Sequence, residues 1–164
     1  MDRLRIDTRP EAMDVDAIHG FLAREAYWSR GIPRATVERA IAGSLCFGGF
    51  VEGAGQVAFA RVVTDCATFA YLCDVFVLPQ WRGRGYARQL MDAVMADPRL
   101  QGLRRFLLAT SDAHGLYRRY GFAAPAWPGP SLPILIGLPR RFVTLRRGAS
   151  TLSFPPRRSI WPTR

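Results

Sequence analysis

The stretch QWRGRGYARQLMDAVM, residues 80–95, decides how the chain is read. Its first six residues hold two glycines and two arginines, and an apolar/polar alternation of helical period follows at once. Glycine costs roughly 0.5–1 kcal/mol when ordered, so a pair placed directly before a helix must serve the backbone. A helix N-terminus presents unpaired N–H groups and about half a positive charge. With no side chains at Gly83 and Gly85, a phosphate can approach those amides, and Arg82 and Arg84 add cationic donors at the rim. A diphosphate site is the direct reading. There is no GxGxxG fingerprint, because Arg88 stands at the third glycine position, and there is no GxxxxGK P-loop. The RGRG element has no repeats, which argues against RNA contact.

The elements around this loop follow from periodicity. Tyr86, Ala87, Leu90, Met91, Val94 and Met95 form one helical stripe that ends at Asp97-Pro98. Before the loop, ATFAYLCDVFVLP (67–79) is a nearly continuous apolar strand closed by Pro79. Upstream, SLCFGGFVEGAGQVAFARVVT (44–64) reads as a hairpin around a Gly-Ala-Gly turn, with Gly48 and Gly49 at a bulge. Three antiparallel strands in sequence result. Leu4 to Ile6 opens as a short strand, DVDAIHGFLAREAYW (14–28) carries a first helix capped by Asp14 that ends before Tyr27 and Trp28, and RATVERAIAG (34–43) reads as a second helix stopped at Gly43. After the loop helix, RRFLLAT (104–110) is a buried strand, and SDAHGLYRRYGF (111–122) is a short helix capped by Ser111 or Asp112 and closed by Gly121. Strand, glycine-rich turn, helix and parallel strand make a β-loop-α-β crossover.

Composition bounds the class. A chain of 164 residues, 49% hydrophobic and 22% charged, suits one globular domain with one core. No apolar run approaches membrane-span length and residues 1–14 carry no apolar signal core, so the cytoplasm is the expected compartment. Cys46, Cys66 and Cys73 are odd in number, contain no CxxC pair and read as reduced core thiols. His19 and His114 are the only histidines, so nothing supports a metal site. The formal charge of +10 is uneven: residues 1–112 hold 14 arginines against all 13 acids, and residues 113–164 hold nine arginines and no acid. Lysine and asparagine are both absent. Genomic base composition explains that arginine bias more cheaply than phosphate recognition does, so nucleic acid is not the expected partner.

Two segments carry a family resemblance. VFVLPQWRGRGYA (75–87) resembles the Q/R-x-x-G-x-G/A signature of the GNAT superfamily of N-acetyltransferases, and LYRRYGF (116–122) is similar to its second signature. One helix and one apolar strand separate them in the expected order, and the resemblance covers about residues 45 to 122. It implies an α/β (α+β) fold with a mixed, splayed central sheet and flanking helices. Acetyl-CoA would then be wedged between the strand ending at Val77 and the one around Leu107, with its diphosphate on the loop from Gln80 through Trp81, Arg82, Gly83, Arg84 and Gly85 to Tyr86. The resemblance also implies that a backbone N–H near Val75, Phe76 or Val77 polarises the thioester carbonyl. An amine attacks directly, without a covalent enzyme intermediate.

Tyr117 matches the family's general acid; its alternative is a packing tyrosine. Asp74, the only charge in YLCDVFVLP and on the strand face of Leu72 and Phe76, is a candidate base, and the competing reading is a carboxylate paired with an arginine or with backbone. Thr110 stands where many family members carry asparagine and is expected to contact the cofactor through its hydroxyl. Tyr27 and Trp28 are candidates to line the acceptor pocket, with core packing as the alternative, and Asp65 is a candidate partner for a cationic acceptor. His114 is a weaker proton shuttle, and Tyr120 reads as structural.

The chain is thus expected to form one domain over residues 1–139 that transfers acetyl groups from acetyl-CoA to a primary amine of a small molecule, peptide or protein. Rival readings are a non-catalytic acyl-CoA-binding or regulatory module, and nucleic-acid binding through the basic end. Oligomeric state is open, with a homodimer among the options. Residues 140–164 are an Arg/Pro-rich tail: a divergent final hairpin with a disordered end, an arm for acidic partners, or sequence that no longer encodes the native ending. Beyond Phe122 only LPILIGLP (132–139) and RFVTLR (141–146) look strand-like.

Overall fold

Alternating apolar strands and amphipathic helices assemble as three layers around one sheet. The structure, a computed structural model, describes residues 3–123 and 134–137. Its strands are β1 (Arg5–Asp7), β2 (Leu45–Val51), β3 (Gly55–Thr64), β4 (Phe69–Val77), β5 (Arg105–Ala109), β6 (Phe122–Ala123) and β7 (Ile134–Gly137). They form one sheet in the order β1-β2-β3-β4-β5-β7-β6. Every neighbouring pair is antiparallel except β4 and β5. The parallel pair is the crossover expected from sequence, with α3 (Tyr86–Ala96) as its helix. The strand expected within residues 132–139 is present as β7; the one at 141–146 and the tail from 140 lie outside the described residues.

Helix α1 (Val15–Arg24) starts where Asp14 accepts a hydrogen bond from the Ala17 amide at 3.0 Å, as its sequence predicts. Helix α2 (Arg34–Ala42) follows Pro33 and stops at Gly43. Ile18, Phe21, Leu22, Val37 and Ile41 of these helices cover one face of the sheet, over Cys46, Phe59 and Phe76. The other face carries Ala58, Ala60, Val62, Ala70 and Leu72, against Leu90, Met91 and Val94 of α3. Burying such side chains stabilises by roughly 1.5–3 kcal/mol each. Helix α4 (His114–Arg118) adds Tyr117 to the α3 side.

Gly48 and Gly49 are required by close approach. A Cβ on Gly49 would lie 2.6 Å from Leu4 Cδ2, and one on Gly48 would lie 2.7 Å from the Phe50 ring. The β2–β3 register shifts next to them, between Gly49 and Phe50. Three expectations are corrected. Cys66 is exposed in the β3–β4 turn with φ 56°, and is no core thiol. Burial pushes the other two thiols up, Cys46 to about 11 and Cys73 to about 12, as suits inert core positions. The turn before α4 is held by the Thr110 hydroxyl, which accepts from the Ala113 amide at 3.0 Å, and neither Ser111 nor Asp112 caps it.

The third correction concerns β4. Phe59 pairs with Phe76 but Arg61 pairs with Cys73, so Asp74 and Val75 together face the single residue Ala60. This is a β-bulge, and Asp74 adopts the left-handed region at φ 53°. Side-chain alternation slips by one residue there. Leu72 packs on the α3 side and Phe76 on the α1–α2 side, so they share no face, and Asp74 lies on the side of Phe76.

Candidate active site

The parallel ladder between β4 and β5 covers only Phe69–Leu72 against Arg105–Leu108. Beyond Leu72 the two strands have no paired residues, so the sheet opens where the bulge begins. In an antiparallel strand alternate amides point away from the partner, so the segment from Cys73 to Val77 turns main-chain groups toward this opening. The side chains of Val75, Phe76 and Val77 serve the core: Phe76 stacks on Phe21 with centroids 4.0 Å apart, and the Val77 carbonyl accepts from Arg82 Nε at 3.0 Å.

After β4, residues Pro79–Trp81 make one 3-10 turn that leads into the glycine loop. Gly83 and Gly85 both have positive φ, 76° and 78°, which a side chain disfavours. A Cβ at either position would meet no atom within 4 Å. The space beside these amides is therefore open. Among the described residues, the amides of Gly83, Arg84, Gly85, Tyr86 and Ala87 have no hydrogen-bond acceptor, because the first helical bonds run from Arg88 and Gln89 to the Gly85 carbonyl. Five successive donors, a helix N-terminus and the exposed Arg82 and Arg84 make a cradle that fits a diphosphate. Arg84 lies over the Trp81 ring at 4.8 Å, Trp81 stacks on Tyr86 at 6.2 Å, and Gln80 is exposed. Tyr86 itself is a core side chain with a buried hydroxyl that has no partner among the described residues, so only its amide faces the cradle.

On the opposite side of the opening, candidate residues distant in sequence meet. Trp28 Nε1 donates to Asp74 Oδ1 at 3.2 Å, and Arg61 Nε donates to Asp74 Oδ2 at 2.8 Å. The Tyr27 hydroxyl hydrogen-bonds Ser111 Oγ, 84 residues away, which ties the end of α1 to the loop after β5. Tyr117 is buried on α4; burial pushes its phenol up to about 12, and the charges of Asp112 and Tyr27 act in the same direction. Asp74, Trp28, Tyr27 and Ser111 are therefore linked by direct contacts, and Tyr117 on α4 packs edge-on against Phe122 at 6.1 Å. Thr110, at the end of β5, is buried with its hydroxyl occupied by the turn.

Asp65 is not brought to this group. It holds the β3–β4 turn, accepting from the amides of Ala67, Thr68 and Phe69 and from Thr68 Oγ1. These bonds, that of the Thr68 hydroxyl first, keep its carboxyl well below the usual range. It lies nine residues of turn and strand from Asp74, at the opposite end of β4. Tyr120 is structural, donating to Asp92 Oδ1 at 2.7 Å. His19 Nε2 lies 3.1 Å from the Ile32 carbonyl between the first two helices. Sequence reasoning missed Arg61 and Ser111. Arg61 had a signal: it is the only charge in the apolar run of β3, and hairpin pairing puts it opposite the Cys73–Asp74 step. Ser111 had none.

Among the described residues no cluster of His, Cys, Asp or Glu could hold a metal ion, and no helix is long and apolar enough to cross a membrane.

Comparison with known proteins agrees with this geometry. The acetyltransferase (GNAT) domain description matches residues 43–124. A candidate acetyltransferase from the fungus Gibberella zeae is 32% identical over 133 residues, covering 68% of this chain and 74% of that protein. A crystal structure of a candidate GNAT-family acetyltransferase from Xanthomonas campestris pv. campestris is 57% identical, with TM-score 0.75, and covers 85% of this chain and 99% of the other. The N-acetylglutamate synthase of Neisseria gonorrhoeae, solved with coenzyme A and L-arginine, shares the fold at 16% identity and TM-score 0.66, over 86% of this chain and 34% of that one. The split sheet is thus that of an acetyltransferase fold. The chain belongs to the GNAT family.

Proposed function

We propose that this N-acetyltransferase uses acetyl-CoA to acetylate a primary amine of a small molecule, peptide or protein by direct attack, without a covalent enzyme intermediate. The observation that carries this reading is the run of five unpartnered amides from Gly83 to Ala87, opening beside the gap between β4 and β5. Acetyl-CoA supplies the activated acyl group and accepts a proton as its thiol departs. The cradle from Gln80 to Tyr86 binds the diphosphate through main-chain amides, with Arg82 and Arg84 at its rim.

An amine near pKa 10.4 is mostly protonated at neutral pH, so the enzyme must take up a proton before attack. Asp74 is the acceptor of that proton. Its two oxygens are fixed by Trp28 and Arg61, which aims the carboxylate and keeps it in place. A main-chain N–H between Val75 and Val77 stabilises the developing oxyanion, and the bulge exposes that segment. Tyr117 holds its proton firmly and delivers it to the leaving sulfur. Thr110 borders the same gap.

The test is an acceptor screen that follows CoA release from acetyl-CoA, run beside the Tyr117→Phe variant. Acetylation that drops sharply in the variant is the expected result. Tight CoA binding with no acceptor turned over, and no difference between wild type and Tyr117→Phe or Asp74→Asn, would identify a non-catalytic acyl-CoA-binding module.

A further inference from the structure

We infer that the acceptor is a primary amine carried on an aromatic group, selected by the ring wall of Tyr27 and Trp28, and that polyamines are poor substrates. This inference rests on the acetyl-transfer reading of the same site. Tyr27 and Trp28 are the two most exposed large apolar side chains among the described residues, at 59% and 45%. Neither hangs loosely. The Trp28 indole N–H is fixed to Asp74 and the Tyr27 hydroxyl to Ser111, so both polar tips are anchored to the site while the ring faces stay in water. The rings meet edge-on at 5.0 Å, and Phe21 backs Trp28 at 6.4 Å. Anchored rings left wet present an apolar surface that favours covering. Their mutual geometry matches the offset and edge-on packing that a third ring prefers.

Charge argues for the same class. The Asp74 carboxylate, to which the amine must point, is already matched by Arg61 at 2.8 Å. Among the described residues, Asp112 lies on the loop after β5, and Arg82 and Arg84 beyond β4 belong to the diphosphate cradle. One amino group on an apolar carrier needs no carboxylate beyond Asp74, whereas each further ammonium of a polyamine needs a partner of its own once it leaves water.

Initial rates with 2-phenylethylamine, n-butylamine and spermidine at saturating acetyl-CoA test this. The expected kcat/KM for 2-phenylethylamine exceeds that for n-butylamine at least tenfold, with spermidine below both. Trp28→Ala should cut that ratio at least tenfold, while Trp28→Phe, which keeps a ring but loses the indole N–H, should preserve the ratio even as the overall rate falls. CoA affinity reports whether each variant is folded. Equal rates for the two simple amines, a preference for spermidine, or a ratio that survives Trp28→Ala would overturn the inference and leave acetyl transfer standing. If no amine is acetylated, the transfer reading fails. Binding of 2-phenylethylamine to the CoA-saturated protein, followed by tryptophan fluorescence, then decides the ring wall on its own, and affinity no better than that of n-butylamine overturns it.

Discussion

Arg61 Nε stands 2.8 Å from Asp74 Oδ2 at the point where β4 bulges from β3 and β5 stops pairing with it. The side chains are 18% and 13% exposed, so each charge depends on the other for much of its solvation. Asp74→Asn keeps the shape and tolerates the left-handed φ of 53°, but removes the charge. We expect a stability loss of about 1–3 kcal/mol, less than the roughly 3–5 kcal/mol of a fully buried broken pair. We also expect kcat/KM to fall about 10²-fold or more, as for loss of a general base. Adding Arg61→Leu should recover stability in denaturant melts but not rate. Wild-type kcat/KM in Asp74→Asn would remove the carboxylate from the chemistry.

Tyr117, with its phenol pushed up to about 12, remains protonated throughout the working range of pH. The sign follows from the raised value: the folded state holds the proton more tightly than the unfolded chain, whose tyrosine titrates near ~10. Its contribution to stability is complete below about pH 10 and is lost as pH rises through 12. Activity measured from pH 6 to 10 should therefore show no alkaline fall due to this group. Tyr117→Phe should lower kcat about 10²–10⁴-fold at every pH in that window. An alkaline limb near pH 8 that vanishes in Tyr117→Phe would contradict the buried, high-pKa phenol.

Local chemistry made much of this molecule readable before any coordinates. Asp14 announces α1 because a short acceptor side chain before an apolar helical stripe has one good use, and Gly83 and Gly85 announce the cradle because no regular element wants them. The helix behind them follows from a stripe with only one buried solution. The bulge was not readable. An aspartate in the left-handed region is set by the pairing of β4 with β3, and the resulting slip put Leu72 and Phe76 on opposite faces despite a period-two pattern. Asp65 and Thr110 have local partners that the linear pattern did not announce. Both side chains accept hydrogen bonds from nearby amides of the turns they hold. Arg61 and Ser111 take their roles from contacts across strands and loops, which a linear reading sees only after register is assigned.

Asp65 supplies a control on that distinction. Its carboxyl titrates well below the usual range because the Thr68 hydroxyl and three amides bond its charged form. A depressed folded pKa means that the contribution is present above the unfolded value of about 4 and is lost as pH falls through the folded one. Asp65→Ala should lower the Tm at pH 7, and the gap to wild type should narrow as pH drops below about 4. Circular-dichroism melts across pH 2–7 measure this. The KM for every acceptor should stay at its wild-type value, and a rise confined to cationic amines would return Asp65 to the acceptor site.

Gly83 and Gly85 separate backbone strain from occupied space. Because a Cβ at either position meets no atom within 4 Å, a substitution costs the free protein only the left-handed φ, about 1–2 kcal/mol for most residues and less for asparagine. Gly83→Asn should therefore fold with little change in Tm, while its side chain occupies the room a phosphate needs. The Kd for CoA should rise at least tenfold, about 1.4 kcal/mol. Gly83→Val and Gly85→Val should show the same loss together with lower stability. Pantetheine, which has the thiol arm but no diphosphate, distinguishes the two ends of the ligand. Its binding should be unaffected by Gly83→Asn in calorimetry, because the proposed function puts the arm along the opening of β4 and only the diphosphate on the loop. Unchanged CoA affinity in all three variants would place the diphosphate elsewhere, and an equal loss for pantetheine would mean that the substitution distorts the gap itself.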